Sequence, residues 1–316
     1  MSEIDVSIII VSFNTSEILR NCLDSIASAN LEFSYEIIVV DNASTDSSTT
    51  MIEQCFPEII LIKNNLNLMF AKANNIGIKK STGKYVLLLN SDTIVCSTEL
   101  EKLVTFLKKN PNIAAVGPRV LNLDGSIQSE SFPFDSLYTL ICSYLKLLKW
   151  SIPNNLKIKI LPDGFIGFQK GITRKTGWIS GCCMLIDRNK IQNKVGYLDE
   201  ELLFYGEDVE WCYRAKKNNE FVYIHPDSCI IHLGGASTTG NMKLEIEKNT
   251  LNNYILFSIK TIGVPQIVAI NIIILITHLL ISPILLFSSS DFLNKWSKTM
   301  RISFYILRRV INKLFQ

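Results

Sequence analysis

The chain has 316 residues, enough to bury a full core in one large domain with an appendage or in two modest ones. Hydrophobic residues make up 47% and charged ones 19%, which excludes a disordered chain and leaves more apolar surface than an ordinary cytosolic enzyme carries. The net charge of +3, from 32 basic and 29 acidic residues, is too small to argue for nucleic acid as a partner.

The first residues, Met1-Ser2-Glu3-Ile4-Asp5, place acids where a secretory leader needs a basic segment, so a cytosolic catalytic part is expected. Apolar runs then alternate with amphipathic stretches. Val6–Val11, Glu36–Val40, Ile59–Ile62 and Tyr85–Leu89 read as strands, and Leu19, Cys22, Leu23 and Ile26 mark a helix after the first. Continuous Val/Ile/Leu runs separated by helices predict a mostly parallel α/β sheet covered on both faces. The helix after the fourth run carries its own end signals: Ser97, Glu99 and Glu101 at the start, Lys108 and Lys109 at the end, and Pro111 beyond.

In open α/β sheets ligands sit outside the carboxyl ends of the strands, so the residues that follow each run matter most. These are Ser12-Phe13-Asn14 after the first, Asp41-Asn42-Ala43-Ser44-Thr45-Asp46 after the second and Asn90-Ser91-Asp92 after the fourth. No Gly-rich dinucleotide fingerprint or P-loop occurs, so a bound phosphate here needs a metal. Asp92 is a hard oxygen donor suited to Mg²⁺ or Mn²⁺, and Asp41 is placed to accept from a nucleobase N–H or a ribose hydroxyl. Asp46 reads equally well as a turn or cap residue.

The segment from about Asp124 to Lys175 is rich in aromatics (Phe132, Phe134, Tyr138, Tyr144, Trp150) but has no readable chemistry; by position it shapes the acceptor side. Small residues from Thr176 to Cys183, among them Gly181, let a ligand approach the backbone closely. Glu207 and Asp208 follow, set between Phe204, Tyr205 and Trp211, where desolvation raises a carboxylate's pKa and favours a general base; Glu210 reads as an ordinary helix-start acid. His232 ends the apolar run Cys229–Ile231 just before Gly234 and Gly235; spacing alone leaves open whether it is structural or completes a metal shell begun by Asp92.

From Lys260 to Asp291 the intervening residues carry no charge, and Val264–Phe287 is long enough to meet a bilayer. Pro265, Asn271, His278 and Pro283 interrupt it, and Lys295, Lys298, Arg301, Arg308, Arg309 and Lys313 follow, so a re-entrant or interfacial segment is expected rather than a simple span. The Ile302, Tyr305, Ile306, Arg309, Val310 pattern is amphipathic at helical spacing; the competing expectation is a helical hairpin packed on the catalytic domain. The eight cysteines are scattered without Cys-x-x-Cys spacing and read as reduced thiols.

Together the segments VSIIIVSFN, EIIVVDNASTDSS, NLNLMFAKANNIGIKKSTGKYVLLLNSDT, GWISGCCMLIDR, GYLDEELLFYGEDVEWCYRA and IIHLGGAS, in this order from Val6 to about Thr239, resemble a family 2 glycosyltransferase of the bacterial rhamnosyltransferase-like branch. The resemblance implies a GT-A nucleotide-diphospho-sugar transferase fold over 1–240, with 241–316 as a helical membrane-associated region at the cytoplasmic face of the cell membrane. It implies a nucleotide-sugar site including Ser12, Asn14, Asp41, Asn74, Asn90, Ser91, Asp92 and Gly181, and a divalent metal (Mn²⁺ or Mg²⁺) held by Asp92 and His232. Asp208 is then the base of an inverting transfer, with Glu207 orienting the acceptor, a glycan or polyprenyl-linked saccharide. The Gln-x-x-Arg-Trp motif of processive synthases does not occur, so one sugar is expected per visit, from deoxythymidine-diphosphate rhamnose or a uridine-diphosphate sugar. Three positions depart from the family pattern: Met69 in place of Gly, Asn90 in place of the first metal-motif acid, and Asp187 in place of Arg. Two other classes compete: a sugar nucleotidyltransferase, which needs a Gly-rich basic loop where Ser12-Phe13-Asn14-Thr15 stands, and a non-catalytic membrane adaptor, which predicts a broken site.

Overall fold

The computed structural model describes residues 4–129, 134, 173–202, 205–234, 252–253, 255–261, 263–281 and 290–314. The chain divides into two compact units, Met1–Phe134 with Pro153–Thr250 and Asp135–Ile152 with Leu251–Gln316. Of the residues singled out above, Phe132, Tyr138, Tyr144, Trp150, Phe204, Gly235 and Pro283 lie outside the described residues.

The first unit is built on one sheet. In chain order its elements are β1 (Val6–Ser12), α1 (Ser16–Ser28), β2 (Tyr35–Asp41), α2 (Ser48–Cys55), β3 (Ile60–Lys63), α3 (Met69–Lys80), β4 (Tyr85–Asn90), β5 (Thr93–Val95) and α4 (Glu99–Lys109). They continue with β6 (Ile113–Leu121), β7 (Ile127–Ser129), β8 (Arg174–Thr176), β9 (Cys183–Asp187), α5 (Glu207–Lys217) and β10 (Phe221–His232). The strand order is β3-β2-β1-β4-β9-β6-β10-β5, with β7 on β6 and β8 on β10.

The sheet is mixed rather than mostly parallel. β1 pairs in parallel with β2 and β4, β2 with β3 and β6 with β10, whereas β9 runs antiparallel between β4 and β6, and β5, β7 and β8 are all antiparallel additions. A strand buried on both faces reads as the same apolar run in either direction, so composition carries no sign of this reversal.

Both faces are indeed covered. Alternate residues of β1 divide between two cores: Ile8 and Ile10 pack with Leu19, Leu23 and Ile26 of α1, Ile52 of α2 and Leu100, Leu103 and Leu107 of α4, while Ile9 packs with Ala71 and Ile78 of α3 and Trp211 and Ala215 of α5. The α4 charges fall as expected, Glu99 and Glu101 in the first turn and Lys108 and Lys109 in the last. α3 lies so close to the sheet that a Cβ on Gly77 would stand 2.5 Å from Ile9 Cγ2.

The second unit contains α6 (Val264–Ile281) and α7 (Ser290–Leu314). Its core joins Ile255, Ile267, Ile306 and Val310, with Ile302 and Tyr305 packed against them. The apolar stripe of α7 is therefore spent on this unit's own core. Among the described residues no helix is long and apolar enough to cross a membrane; the 18 residues of α6 reach about 27 Å against a hydrocarbon core of about 30 Å.

Candidate active site

Register brings the polar strand ends together. Ser12 pairs with Asp41 and Val11 with Asn90, so the carboxyl ends of β1, β2 and β4 finish side by side. Between Asn90 and β5 the chain turns back through Ser91 and Asp92, and β5 then pairs antiparallel with the end of β10, setting His232 opposite Thr93. The backbone N–H of Leu233 donates to the Asp92 carbonyl (2.9 Å), and His232 Nε2 stands 3.1 Å from Asp92 Oδ1 and 3.3 Å from Asn90 Nδ2.

The resulting cavity is lined by Phe13, Asn42, Met69, Phe70, Asn90, Ser91, Asp92, Ser180, Gly181, Tyr205, Glu207, Asp208 and His232, among others. Three carboxylates face it, and none of the described residues lining it is a lysine or an arginine.

Glu207 and Asp208 open α5 after a tight turn in which Tyr205 (φ +62°) and Gly206 (φ +101°) are both left-handed. The turn drives the pair into the cavity wall, where Glu207 is buried and Asp208 half-buried. The Gly181 N–H donates to Asp208 Oδ2 and the Val209 N–H to Oδ1, each at 2.8 Å. Burial raises the Asp208 pKa against these two donors. Burial, and then the charge of Asp208, push Glu207 up to about 8, and its Oε2 finds no hydrogen-bond partner among the described residues. Gly181 is a close approach: a Cβ there would meet the Phe70 ring at 3.3 Å and Asp208 Cβ at 3.6 Å.

The other expected residues make the following contacts within the frame. Asp41 is 2% exposed and lies one residue behind the lining Asn42; its Oδ2 accepts from Ser44 N–H (2.9 Å), while buried Oδ1 has no partner among the described residues. Ser12 Oγ is 2.9 Å from Thr15 Oγ1. Asn14 ties two loops, its N–H donating to Ser44 Oγ and its Oδ1 accepting from Thr45 N–H. Asn74 Nδ2 donates to the Phe70 carbonyl. None of Ser12, Asn14, Asp41 and Asn74 lines the cavity. Asp46 is a cap, accepting from Ser16 and Ser48 N–H groups. Asp187 caps its turn by accepting from Asn189 N–H. Glu210 holds Arg214 at 2.7 Å, and Arg214 in turn donates to the Val195 and Tyr197 carbonyls.

Four lining residues had no role in the sequence reading, Phe13, Asn42, Asn67 and Phe70, while Ser180 and Cys182 entered only as small residues and Tyr205 only as a desolvating neighbour of the acids. The first two lie inside quoted strand-end segments, so adjacency was an available signal. Asn42 carries a structural load that only contacts reveal, its Oδ1 accepting from Asn64 and its Nδ2 donating to the Met69 carbonyl. Left-handed Asn14, Ala43, Met69 and Tyr205 cluster at this edge, a pattern of strain found at ligand sites.

The fold resembles the crystal structure of GalNAc-T7 with UDP, GalNAc and Mn²⁺, with a TM-score of 0.59 at 17% identity over 81% of this chain and 48% of that one; this is a GT-A sugar-transferase architecture. Residues 7–190 match glycosyl transferase family 2, and the chain belongs to that family. A low-salt glycan biosynthesis hexosyltransferase from Haloferax volcanii is 28% identical over 221 residues, 68% of this chain and 62% of its own length. An N-acetylglucosaminyl-diphospho-decaprenol L-rhamnosyltransferase from Mycobacterium tuberculosis is 23% identical over 247 residues, 73% of this chain and 76% of its own length. The chain thus spans less than two thirds of the first relative and about half of the solved structure.

Proposed function

We propose that this protein is an inverting, non-processive glycosyltransferase that moves a sugar, rhamnose being the leading candidate, from a nucleoside diphospho-sugar to a hydroxyl of a glycan or polyprenyl-linked saccharide. The observation that carries the reading is the convergence of Asp92, Glu207, Asp208 and His232 on one cavity with no cationic side chain among its described lining residues. A diphosphate would be repelled there unless a cation stood between. Asp92 Oδ1 and His232 Nε2 fit that role, since two adjacent donors on an octahedral Mg²⁺-sized ion lie about 3 Å apart. When bound, such an ion neutralises charge on the departing diphosphate.

The residues of the chain supply the rest. Asp41 Oδ1, buried and unpaired, accepts from a nucleobase imide or ribose hydroxyl. Asp208 takes the proton of the acceptor hydroxyl as that oxygen bonds to the anomeric carbon from the face opposite the nucleotide. The bond from carbon to the diphosphate oxygen breaks with its electron pair, inverting the centre. Gly181 and Val209 hold Asp208 in place, and burial raises its basicity, which favours the role of base. The orphaned Glu207 Oε2 pairs with an acceptor hydroxyl.

Attachment to the cytoplasmic face of the cell membrane through 261–316 belongs to the same reading. Its support is the apolar α6 and the exposed set Ile272, Ile276, Phe304 and Ile311 in the second unit, with Arg301, Arg308 and Arg309 also exposed. The relative named for a decaprenol-linked substrate is in keeping with a lipid-linked acceptor.

The test is thermal stabilisation by uridine, thymidine and guanosine diphospho-sugars with and without Mn²⁺. Mn²⁺-dependent stabilisation by one nucleotide class, lost in Asp92→Asn, is expected. No shift with any donor in any metal would sink the reading.

A further inference from the structure

His232 is gripped from both sides. On the face away from Asp92 its Nδ1 lies 2.6 Å from Oε1 of Gln128, on β7. The orientation of the Gln128 amide is dictated by chemistry, because Nε2 reaches the His232 carbonyl (3.0 Å) and Asn122 Oδ1 (2.9 Å), both acceptors only. Asn122 is itself fixed, because the Ser126 hydroxyl donates to Asp124 Oδ1 and so can only accept from Asn122 Nδ2 at 2.9 Å. The NH₂ end therefore belongs there, and Oε1 can only accept. The proton of a neutral His232 ring must then sit on Nδ1, leaving Nε2 as a bare lone pair facing Asp92 Oδ1 and the Asn90 Nδ2 donor. Gly234 (φ +58°) makes the approach possible, since a Cβ there would stand 2.9 Å from Gln128 Nε2.

We infer that Gln128 is the positioning residue that locks the His232 tautomer and ring, so that Nε2 and Asp92 present two electron-pair donors to one divalent cation. The inference rests on the metal site of the proposed function and extends it: a carbonyl behind the imidazole fixes which nitrogen binds and how the ring is aimed.

Two measurements test it on the full chain. Long-range ¹H–¹⁵N spectra of metal-free protein labelled at the histidine rings report tautomers directly; the chain has three histidines, and His232 is assigned by its loss in His232→Ala. The Nδ1–H pattern is expected, and an Nε2–H tautomer in the native protein overturns the inference whatever the variants do. Titration with MnCl₂ alone, followed by the electron paramagnetic resonance of free Mn²⁺, gives affinities. Gln128→Ala should weaken binding about 10- to 100-fold and mix the tautomers, while Gln128→Glu, which keeps an acceptor oxygen behind Nδ1 but loses both donated bonds, should weaken it less than Gln128→Ala. Native affinity in Gln128→Ala, or equal loss in both variants, overturns the inference. If His232→Ala and Asp92→Asn weaken Mn²⁺ binding and Gln128→Ala does not, the site stands and Gln128 has no part in it. If neither weakens binding, the metal site itself fails and takes the inference with it.

Discussion

Glu207 and Asp208 are neighbours in sequence and share one buried wall, yet their surroundings give them different work. Asp208 has both oxygens held by backbone N–H groups, whereas Glu207 keeps one oxygen unpaired. Asp208→Asn keeps the shape and loses the base, so turnover should fall by about 10²- to 10⁴-fold with donor affinity unchanged; retained turnover in a steady-state assay would remove Asp208 from that role. The raised Glu207 pKa also sets a pH signature. Its folded value of about 8 lies above the unfolded value of about 4.3, so the folded state holds a proton that the unfolded state has released. Its stabilising contribution is whole below about pH 4 and is lost as pH rises toward 8, with a slope approaching about 1.4 kcal/mol per pH unit. Urea midpoints in chelator across pH 5 to 8 should show this decline, and Glu207→Gln should flatten it. Met69 gives a third residue-scale test. A left-handed conformation costs a non-glycine residue about 1–2 kcal/mol, so Met69→Gly should offset its loss of side chain in part and widen the cavity, seen as a shift in donor preference with little loss of midpoint. Residue types were legible in the sequence, because acids after apolar runs are conspicuous. Which acid stays unpaired was not, since that depends on which backbone N–H groups fold against it.

Periodicity exposed the elements it is suited to expose. α1 buries the residues its spacing marks, α4 lies between its charged end signals, and β1, β2 and β4 lie within a residue or so of their apolar runs. β5 spans only Thr93–Val95 and follows Asn90-Ser91-Asp92, too short to carry a pattern of its own. β10 runs 12 residues, from Phe221, far beyond the three apolar residues that announced it, because its first half alternates half-buried with buried residues and then meets Pro226 and the exposed Asp227. α3 is held against the sheet by the absence of a side chain at Gly77, whose added Cβ would collide with Ile9 Cγ2 and crowd Val40 Cγ2 at 3.3 Å. Gly77→Ala should therefore destabilise by about 1–3 kcal/mol despite the better helix propensity of alanine, measured as a lower denaturant midpoint at unchanged slope. A gain in stability would mean that α3 can lift away without cost.

In the whole molecule, two kinds of apolarity had to be told apart. The surplus after Lys260 lies in the second unit, where part forms a private core around Ile306 and Val310 and part, including Ile272 and Phe304, remains exposed. If that exposed set meets lipid, the full chain should bind vesicles containing anionic headgroups, more weakly as salt rises, and Arg301→Gln with Arg308→Gln should weaken binding by about 1 kcal/mol for each charge that lies near the surface. Equal partitioning to neutral and anionic vesicles would assign the attachment to apolar contact alone. By itself the sequence determined the α/β class, the polar strand ends and the chemical types at the site, because both-face burial and chain-terminal turns leave local marks. Only the tertiary structure decided the mixed sheet, the hold of the Gly181 N–H on Asp208, and the meeting of Asn90 and His232 from positions 142 residues apart. That meeting follows from the antiparallel register of β5 on β10, and register is a property of two strands together that neither strand's composition contains.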